Sequence, residues 1–427
     1  MKFKDGLKAN ANEIRDTFYL YILQIVDKIC PLIIIPYLMF TLQAEKYGYI
    51  GFATAVIQYI SLIVEFGFNL SATKRIAVAR EESKEKLSRI FLSTFYAKLI
   101  LLALSTIILI CITLSISSIR IYFSTIMCIY PLAVGTTLTA SWFYQGMGKI
   151  RIVSIVISIC KISILPLTII FVKSPDDYNI AAFIQSFAYF MAGIITLLMI
   201  HTSKMIQIVK VSVSDIKIEL KESYPLFLST VATSVYTQLF ILILGFISTP
   251  AVVGRYSAAE RIMRSLCFAI YSPISAVFYP KIASIACRDK ENANHLLKNI
   301  MKFIFFIMFL LSLILLFFSE PLSLLLGNDY DGISSLLKIM AFVPIAIALG
   351  AICGQMGLIA LGDFKTKRQF QSVYFMAAPF SLVSVAILSY MFVEIGAAIA
   401  LLLTEYFVFI MMFYFYKKHL RCYYLQH

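Results

Sequence analysis

Apolar residues in this chain gather into long runs that are separated by short polar segments. Twelve runs are long enough, or nearly so, to cross a lipid bilayer, which takes about 20 residues. The predicted spans cover residues 17–42, 48–70, 90–116, 121–144, 152–172, 180–200, 224–247, 256–283, 303–318, 336–361, 373–392 and 395–416. The first run is too long for a signal-peptide core and no small-residue cleavage site follows it, so we expect it to be retained. The pattern predicts an all-α polytopic membrane protein.

The basic residues orient these spans. With the N-terminus in the cytoplasm, 27 of the 37 Lys and Arg residues fall in cytoplasmic segments, and only Lys46, Arg120, Lys173 and Arg255 fall in outer loops. This positive-inside bias holds in every loop, whereas a missed helix would reverse it from that point onward. We therefore predict 12 transmembrane helices with cytoplasmic N- and C-termini. The long middle loop, 202–221, divides the chain into an N-lobe, 1–201, and a C-lobe, 222–427.

Composition agrees with this class and narrows the chemistry. Of 427 residues, 60% are hydrophobic and 14% are charged, which argues against a soluble enzyme or a disordered chain. The net charge of +14 follows from the topology, so no nucleic-acid partner is needed. The eight Cys form no CxxC pair, and no metal-ligand spacing, phosphate loop or catalytic motif occurs. The sequence thus predicts neither an enzyme nor a metal site.

The two halves of the chain resemble each other. With a shift of 206 positions, Glu13 matches Glu219, and Gly48 matches Gly254. The same shift aligns Ile76-Ala77 with Ile282-Ala283, and a shift of 216 aligns Gly146 with Gly362. These matches predict two six-helix lobes in parallel orientation, related by an axis along the membrane normal. Transporters built in this way often hold their substrate site between the repeats.

Some charges lie where hydrocarbon would penalise them. Each charge at mid-bilayer costs at least ~2.5–3.5 kcal/mol, so these side chains must snorkel, pair or line water. We expect Lys98 and Lys338, near span ends, to snorkel. Ten ionisable residues fall within the predicted spans, namely Asp27, Lys28, Glu65, Lys98, Lys161, Glu260, Arg261, Arg264, Lys338 and Glu405.

The other eight are the candidate functional groups. Glu260 and Arg264 have the spacing of an ion pair within one helix, which can be purely structural, and Arg261 is left without such a partner. Glu65 is either a solvated rim residue or a functional one. Lys161 and Glu405 lie near mid-depth, where each can pair across the bundle or serve ion coupling. Basic groups on the walls of a cleft would suit a phosphate or diphosphate.

Several sequence elements resemble those of O-antigen and capsule oligosaccharide flippases, the polysaccharide-transport branch of the MOP exporter superfamily. They are Ile-Pro-Tyr-Leu at 35–38, Tyr-Gly-Tyr-Ile-Gly-Phe at 47–52, Glu-Phe-Gly-Phe-Asn at 65–69, Trp-Phe-Tyr-Gln-Gly at 142–146 and GRYSAAE at 254–260. The resemblance implies a MOP/MATE-like fold of two lobes in a bacterial inner membrane. It also implies that the chain moves oligosaccharide linked to undecaprenyl pyrophosphate to the outer leaflet by alternating access.

Roles for individual residues are expectations from this resemblance and from the misplaced charges. We expect Lys28, Arg261, Arg264 and Lys161 to face the pyrophosphate or anionic sugars. We expect Asp27, Glu65, Glu260 and Glu405 to couple transport to a proton or sodium gradient, with no cofactor. The expected partners are the lipid-linked oligosaccharide, membrane lipids, a polysaccharide polymerase and a chain-length regulator. The alternatives are a MATE-like drug–cation antiporter, which would favour acidic groups over arginines, and a glycan polymerase or ligase, which needs a sizeable outer loop.

Overall fold

The computed structural model describes the backbone of residues 2–286 and 288–426, and their side chains except at 2–32, 229, 235, 236, 328, 364 and 422–426. This part of the chain is helical and contains no β-strand. Its α-helices are α1 (Lys2–Glu65), α2 (Phe68–Glu82), α3 (Lys84–Ser115), α4 (Ser117–Arg120), α5 (Phe123–Leu138), α6 (Ser141–Gly146), α7 (Ile150–Ile162), α8 (Ile164–Phe171), α9 (Tyr178–Thr202), α10 (Val213–Ile247), α11 (Pro250–Ala286), α12 (Lys290–Leu326), α13 (Ile333–Met340), α14 (Val343–Ala351) and α15 (Phe364–Gln426). Single 3₁₀ turns occupy Pro175–Asp177 and Asn328–Tyr330, and a π-helix occupies Ile352–Ala360.

The helices are long and apolar enough for a multi-pass membrane protein. Among the described residues, nine helical stretches can cross a bilayer, and a tenth, within α10, is bent by 58°. This number is below the twelve predicted spans because two stretches each hold residues of two of them. Ile33–Glu82 includes residues of predicted spans one and two, and Lys365–Arg421 includes spans eleven and twelve. The class predicted from the sequence, an all-α polytopic membrane protein, is confirmed.

Both of these long stretches contain a break. Gln43 in α1 has φ 60° and ψ 172°, and Val393 in α15 has φ 51° and ψ −122°. Neither conformation continues a helix, whose residues lie near φ −63° and ψ −42°. The breaks fall between predicted spans one and two and between spans eleven and twelve.

At Val393 the chain folds back on itself. The rings of Phe380 and Phe407, which lie at similar distances before and after the break, stack with centroids 4.7 Å apart. A Cβ atom on Gly396 would overlap the carbonyl of Leu388, so the returning helix starts against the one it leaves. Arg255 holds this turn from outside by donating to Glu394 over 2.6 Å. The single long helix α15 is therefore a helical hairpin.

The chain forms two compact units. Unit 1 contains Met1–Ile34 and Ala53–Thr230, and unit 2 contains Ile35–Phe52 and Val231–His427. The segment Ile35–Phe52 extends about equally far on either side of the break at Gln43. The turn between predicted spans one and two therefore belongs to unit 2.

The core of unit 1 lies where α2 and α6 meet. Trp142 and Phe143 are buried against Phe91 of α3. The Trp142 ring stacks on the Phe91 ring with centroids 5.5 Å apart, and the Phe143 ring meets it edge to face at 4.9 Å. Gly146 lets α6 approach the backbone of α2 closely, since a Cβ there would lie 2.8 Å from the Thr73 carbonyl oxygen. Trp142 and Phe143 belong to the Trp-Phe-Tyr-Gln-Gly element at 142–146, one of those that carry the family resemblance.

The predicted linker 202–221 is partly helical. Residues 203–212 join α9 to α10, and 213–221 form the first turns of α10. Gln207 donates its backbone N–H to Ser88 Oγ over 2.8 Å, and Ile206, Ile216 and Leu220 pack against the core of unit 1. The segment therefore lies on unit 1 and is not a free loop.

Helix caps repeat with the shift seen in the sequence. Ser83 caps α3 by accepting a hydrogen bond from the Lys86 N–H, and Asp289 caps α12 by accepting one from the Asn292 N–H. Both the acceptors and the donors are 206 positions apart. Because a capping side chain satisfies one of the unpaired N–H groups at a helix start, it fixes where the helix begins. The internal repeat thus extends to local structure.

Candidate functional site

Two carboxylates and one guanidinium meet inside unit 2. Arg264 Nε donates to Glu260 Oε1 over 2.8 Å, and Arg264 Nη2 donates to Glu405 Oε1 over 3.3 Å. The side chains of Glu260 and Glu405 are only 7% and 5% exposed, and that of Arg264 is 20% exposed. Arg264 lies near the midpoint of α11, so this cluster is far from both ends of that helix. We refer to these three residues as the acidic triad.

The triad changes the interpretation of the charges on α11. The predicted pairing of Glu260 with Arg264 is confirmed, and Glu405 adds a second carboxylate from α15. With all three groups ionised the cluster carries one net negative charge. Arg264 already donates hydrogen bonds to two carboxylates, which makes it a poor ligand for a free phosphate.

Arg261 points elsewhere. Its Nη1 donates to Tyr47 Oη over 3.4 Å, and its guanidinium carbon lies 5.7 Å from the centre of the Tyr47 ring. Tyr47 is buried, whereas Arg261 is half-buried. In the described part of the chain no carboxylate lies within 4 Å of Arg261. A guanidinium held over an aromatic ring keeps its remaining N–H donors available to an anion.

A polar patch that the sequence analysis missed continues along α11. Tyr271 Oη and Ser275 Oγ both donate to Gln355 Oε1, over 3.1 and 3.3 Å. Gln355 lies in the π-helix and is exposed although its neighbours are buried. π-Helical turns are rare in proteins, and many of those that occur lie at functional sites. A signal was present, since Gln355 is the only polar side chain between Ile339 and Leu361.

Unit 1 contains a buried lysine. Lys98 is 2% exposed and donates to the Thr136 carbonyl oxygen over 2.7 Å, near the C-terminal end of α5. The expectation that Lys98 snorkels is therefore wrong, because its ammonium finds a helix-terminal carbonyl inside the bundle. Glu65 is half-buried and lies within electrostatic range of Lys98, without an ion pair closer than 4 Å in the described chain. Lys338, in contrast, is exposed and pairs with Glu320 over 2.6 Å.

A second buried acid lies at the start of α10. Glu219 is 1% exposed, and its Oε1 lies 2.7 Å from Arg75 Nη1 and accepts a hydrogen bond from Ser93 Oγ over 3.1 Å. These contacts bind α10 to α2 and α3 within unit 1. Glu219 falls in the predicted linker 202–221 and Arg75 between predicted spans two and three, and their spacing in the sequence does not indicate that they meet.

The other predicted site residues are placed as follows. Lys161 is half-buried in the last turn of α7, with its ammonium 5.5 Å from the ring centre of Tyr189. The side chains of Asp27 and Lys28 lie outside the described residues. Of the eight candidates, the structure brings together Glu260, Arg264 and Glu405, while Arg261 lies one residue from Glu260 on α11 but contacts Tyr47.

Comparison with known proteins identifies a family and two relatives that resemble this chain. Residues 14–286 match the family described as polysaccharide biosynthesis protein. The chain is 33% identical over 414 residues to "Putative O-antigen transporter" of Escherichia coli (strain K12), covering 96% of this chain and 99% of that protein. A protein with the same printed name from Shigella dysenteriae is 29% identical over 405 residues, covering 93% and 98% of the two chains.

Solved structures show the same fold. The lipid II flippase MurJ in an inward closed conformation matches with a TM-score of 0.71, over 93% of this chain and 87% of that one. An inward-facing multidrug resistance MATE family transporter of the MOP superfamily matches with a TM-score of 0.67, over 92% and 98%. Both are 14% identical to this chain, so the likeness concerns the fold alone.

Proposed function

Because the chain belongs to the polysaccharide biosynthesis protein family, we propose that it is a transporter, not an enzyme, and moves a lipid-linked oligosaccharide across a bacterial inner membrane. The observation that carries this proposal is the match to the Escherichia coli relative named "Putative O-antigen transporter" along 96% of the chain. The expected cargo is an O-antigen or similar repeat unit on undecaprenyl pyrophosphate. We expect a polysaccharide polymerase and a chain-length regulator as further partners.

The physical need for such a protein is clear. A sugar repeat with a diphosphate would lose its hydrogen bonds to water in hydrocarbon, and each unsatisfied polar group costs several kcal/mol. Alternating access provides polar surroundings open to one side at a time, while the lipid tail stays in the bilayer. We propose twelve crossings with cytoplasmic termini, supported by ten candidate spans and by the two breaks at Gln43 and Val393. The lobes 1–201 and 222–427 remain a prediction.

Arg261 is the favoured ligand for the diphosphate. It is the intramembrane arginine without a carboxylate partner in the described chain, and its position over Tyr47 leaves N–H donors available. Guanidinium groups bind phosphate through paired, charge-assisted hydrogen bonds. Lys28 and Lys161 remain candidates for the sugar or phosphate groups.

The acidic triad is suited to ion coupling. One guanidinium cannot neutralise two buried carboxylates, so the cluster favours uptake of one proton or one sodium ion. Binding and release of that cation would change the charge of the cluster between neutral and negative. We propose that Glu260 and Glu405 couple transport to an ion gradient in this way, with Asp27 and Glu65 as further candidates.

Complementation of a strain that lacks its own transporter tests the cargo proposal. Arg261→Ala should reduce surface glycan at least about tenfold with normal membrane insertion, and Arg261→Lys should retain part of the export because the charge remains. Arg288→Ala, which removes an exposed arginine outside the predicted spans, is the matched control. Full export by Arg261→Ala would contradict the site. Failure of the native chain to export any lipid-linked glycan, with resistance to cationic drugs instead, would favour the antiporter alternative.

A further inference from the structure

Two neighbouring cavities lie at the end of unit 2 where α12 begins and α15 finishes. Their volumes are ≈ 410 Å³ and ≈ 520 Å³, within the range of ~300–1,000 Å³ that is usual for small-molecule sites. The first is lined chiefly by Lys298, Met301, Lys302, Phe413, Lys417 and Arg421. Among the described residues the second is lined by α15 alone: it shares Phe413, Lys417 and Arg421 with the first and adds Ile410, Tyr414 and Lys418. We call the two together the paired groove.

Four of the five cations that line the paired groove form two helical pairs. Lys298 and Lys302 are four residues apart on α12, and Lys417 and Arg421 are four residues apart on α15, so each pair projects from one face of its helix. All four side chains are exposed. In the described part of the chain no carboxylate oxygen lies within 4 Å of any of them. The groove is therefore strongly positive and lacks its own counterion.

The floor of the groove is apolar and leads to lipid-facing surface. Met301 and Phe413 line it between the two pairs of cations, and Phe305, Phe306 and Tyr414, one turn further along α12 and beside Phe413 on α15, are exposed. An acyl chain can lie along such a surface while a headgroup stays at the cationic end.

The two walls of the first cavity are held at a fixed spacing. Tyr416 Oη donates to Asn294 Oδ1 over 2.5 Å, and both residues are buried. A Cβ on Gly357 would lie 2.7 Å from the Tyr416 ring, which locks that ring in place. The first cavity is thus bounded by packed helices.

We propose that the paired groove binds an anionic phospholipid with two separated phosphates, such as diphosphatidylglycerol. Basic pockets between transmembrane helices are suited to such headgroups. Two cavities that share Lys417 and Arg421 favour two phosphates held apart over one contiguous diphosphate on a single chain. The proposal does not rest on the transport function proposed above.

The groove is a property of one half of the chain. Under the 206-position shift, Lys298 and Lys302 correspond to Leu92 and Tyr96, which carry no charge. Basic residues at cytoplasmic helix ends occur in both halves, but the first half carries no charge at the two positions that match Lys298 and Lys302.

Native mass spectrometry of the full chain in detergent tests the proposal, with tetraoleoyl diphosphatidylglycerol as the probe. The triple variant K298A/K302A/R421A should bind this lipid at least about tenfold more weakly than the native chain, since each basic group near a lipid surface contributes to affinity. The control is K365A/K367A/R368A, which also removes two exposed lysines and one exposed arginine, from the start of α15. The control should bind as the native chain does.

Two further probes separate the sources of phosphate. Dioleoylphosphatidylglycerol has one phosphate and undecaprenyl diphosphate has two contiguous ones, and both should bind more weakly than diphosphatidylglycerol. An equal loss in both triple variants, equal binding of the one-phosphate lipid, or preference for undecaprenyl diphosphate would each overturn the proposal. Export of glycan by the complemented strain is scored separately, so failure of either proposal can be recognised by itself.

Discussion

Gly48 and Gly254 pack backbone against backbone, and the two glycines make equivalent contacts with each other's helix. A Cβ on Gly48 would overlap the carbonyl of Pro250, and a Cβ on Gly254 would overlap the carbonyl of Ala44. Ala44 and Pro250 are 206 positions apart, as are the two glycines. The contact therefore obeys a local two-fold relation between the repeats, at a crossing too close for any side chain.

This crossing predicts a sharp cost for the smallest substitution. Gly48→Ala should lower stability by ~1–3 kcal/mol or more, because the added methyl meets backbone atoms that cannot move independently. Gly350→Ala is the milder comparison and should cost less, since its Cβ would lie 3.3 Å from the Phe409 Cα, a tight contact without overlap, and helix propensity favours alanine. Thermal unfolding in detergent, followed by size-exclusion chromatography, measures both. A Gly48→Ala protein that melts with the native chain would contradict the predicted crossing.

Removing Arg75 should destabilise the protein more than removing Glu219, although the two side chains form one ion pair. Arg75→Ala leaves a carboxylate that is 1% exposed without its cation and should cost ~3 kcal/mol or more. Glu219→Ala leaves an arginine that is 32% exposed and can turn to water, so we expect a smaller loss. Thermal unfolding of both variants gives the comparison.

Arg89→Ala controls for the Arg75 experiment. Arg89 pairs with Glu85 over 3.0 Å, but both side chains are well exposed, and such surface pairs contribute ~0–1 kcal/mol. Equal destabilisation by Arg75→Ala and Glu219→Ala would show that burial of Glu219 does not govern the pair.

The acidic triad predicts rescue between mutations. Arg264→Ala should destabilise the chain by ~3–5 kcal/mol, because it leaves two buried carboxylates side by side. Adding Glu405→Gln should restore part of that loss by removing one of the charges, whereas Glu394→Gln, an acid outside the triad, should restore none. Melting temperatures of the single and double variants decide the point, and additive losses would argue against direct coupling.

The turn at Val393 predicts a gain of stability. A β-branched residue at φ 51° is strained, and glycine adopts that conformation without a steric penalty. Val393→Gly should therefore raise stability by up to ~1 kcal/mol, while Val383→Gly, at an exposed position inside the same helix, should lower it by ~0.5–1 kcal/mol. Thermal unfolding of the two variants should shift in opposite directions, and a shared decrease would place the turn elsewhere.

The proposed topology predicts the positions of reporter fusions. An alkaline phosphatase fused after Asp176 or Glu394 should be active outside the membrane, and one fused after Lys210 should be inactive. Glu394 follows the break at Val393, so its fusion tests whether α15 crosses the membrane twice. Activity after Lys210 would reverse the orientation, and inactivity after Glu394 would remove the twelfth crossing.

The spacing of residues along a single helix predicted some of the contacts seen in the structure. It predicted the Glu260–Arg264 pair, since residues four apart on a helix face are neighbours whatever surrounds them. The family resemblance drawn from short elements is also confirmed, by the profile match and by the Escherichia coli relative. The number of crossings remains a prediction, supported by the breaks at Gln43 and Val393.

The amino-acid sequence by itself determined the class of this protein, its candidate spans and the register of its repeat, because hydrophobic run length and charge bias are properties of the chain and the bilayer. Only the tertiary structure decided which charges meet. Glu405 pairs with Arg264, Glu219 with Arg75, and Lys98 with the Thr136 carbonyl. These partners lie on different helices, and their meeting depends on how each helix is rotated and displaced against its neighbour, which no spacing within one segment specifies.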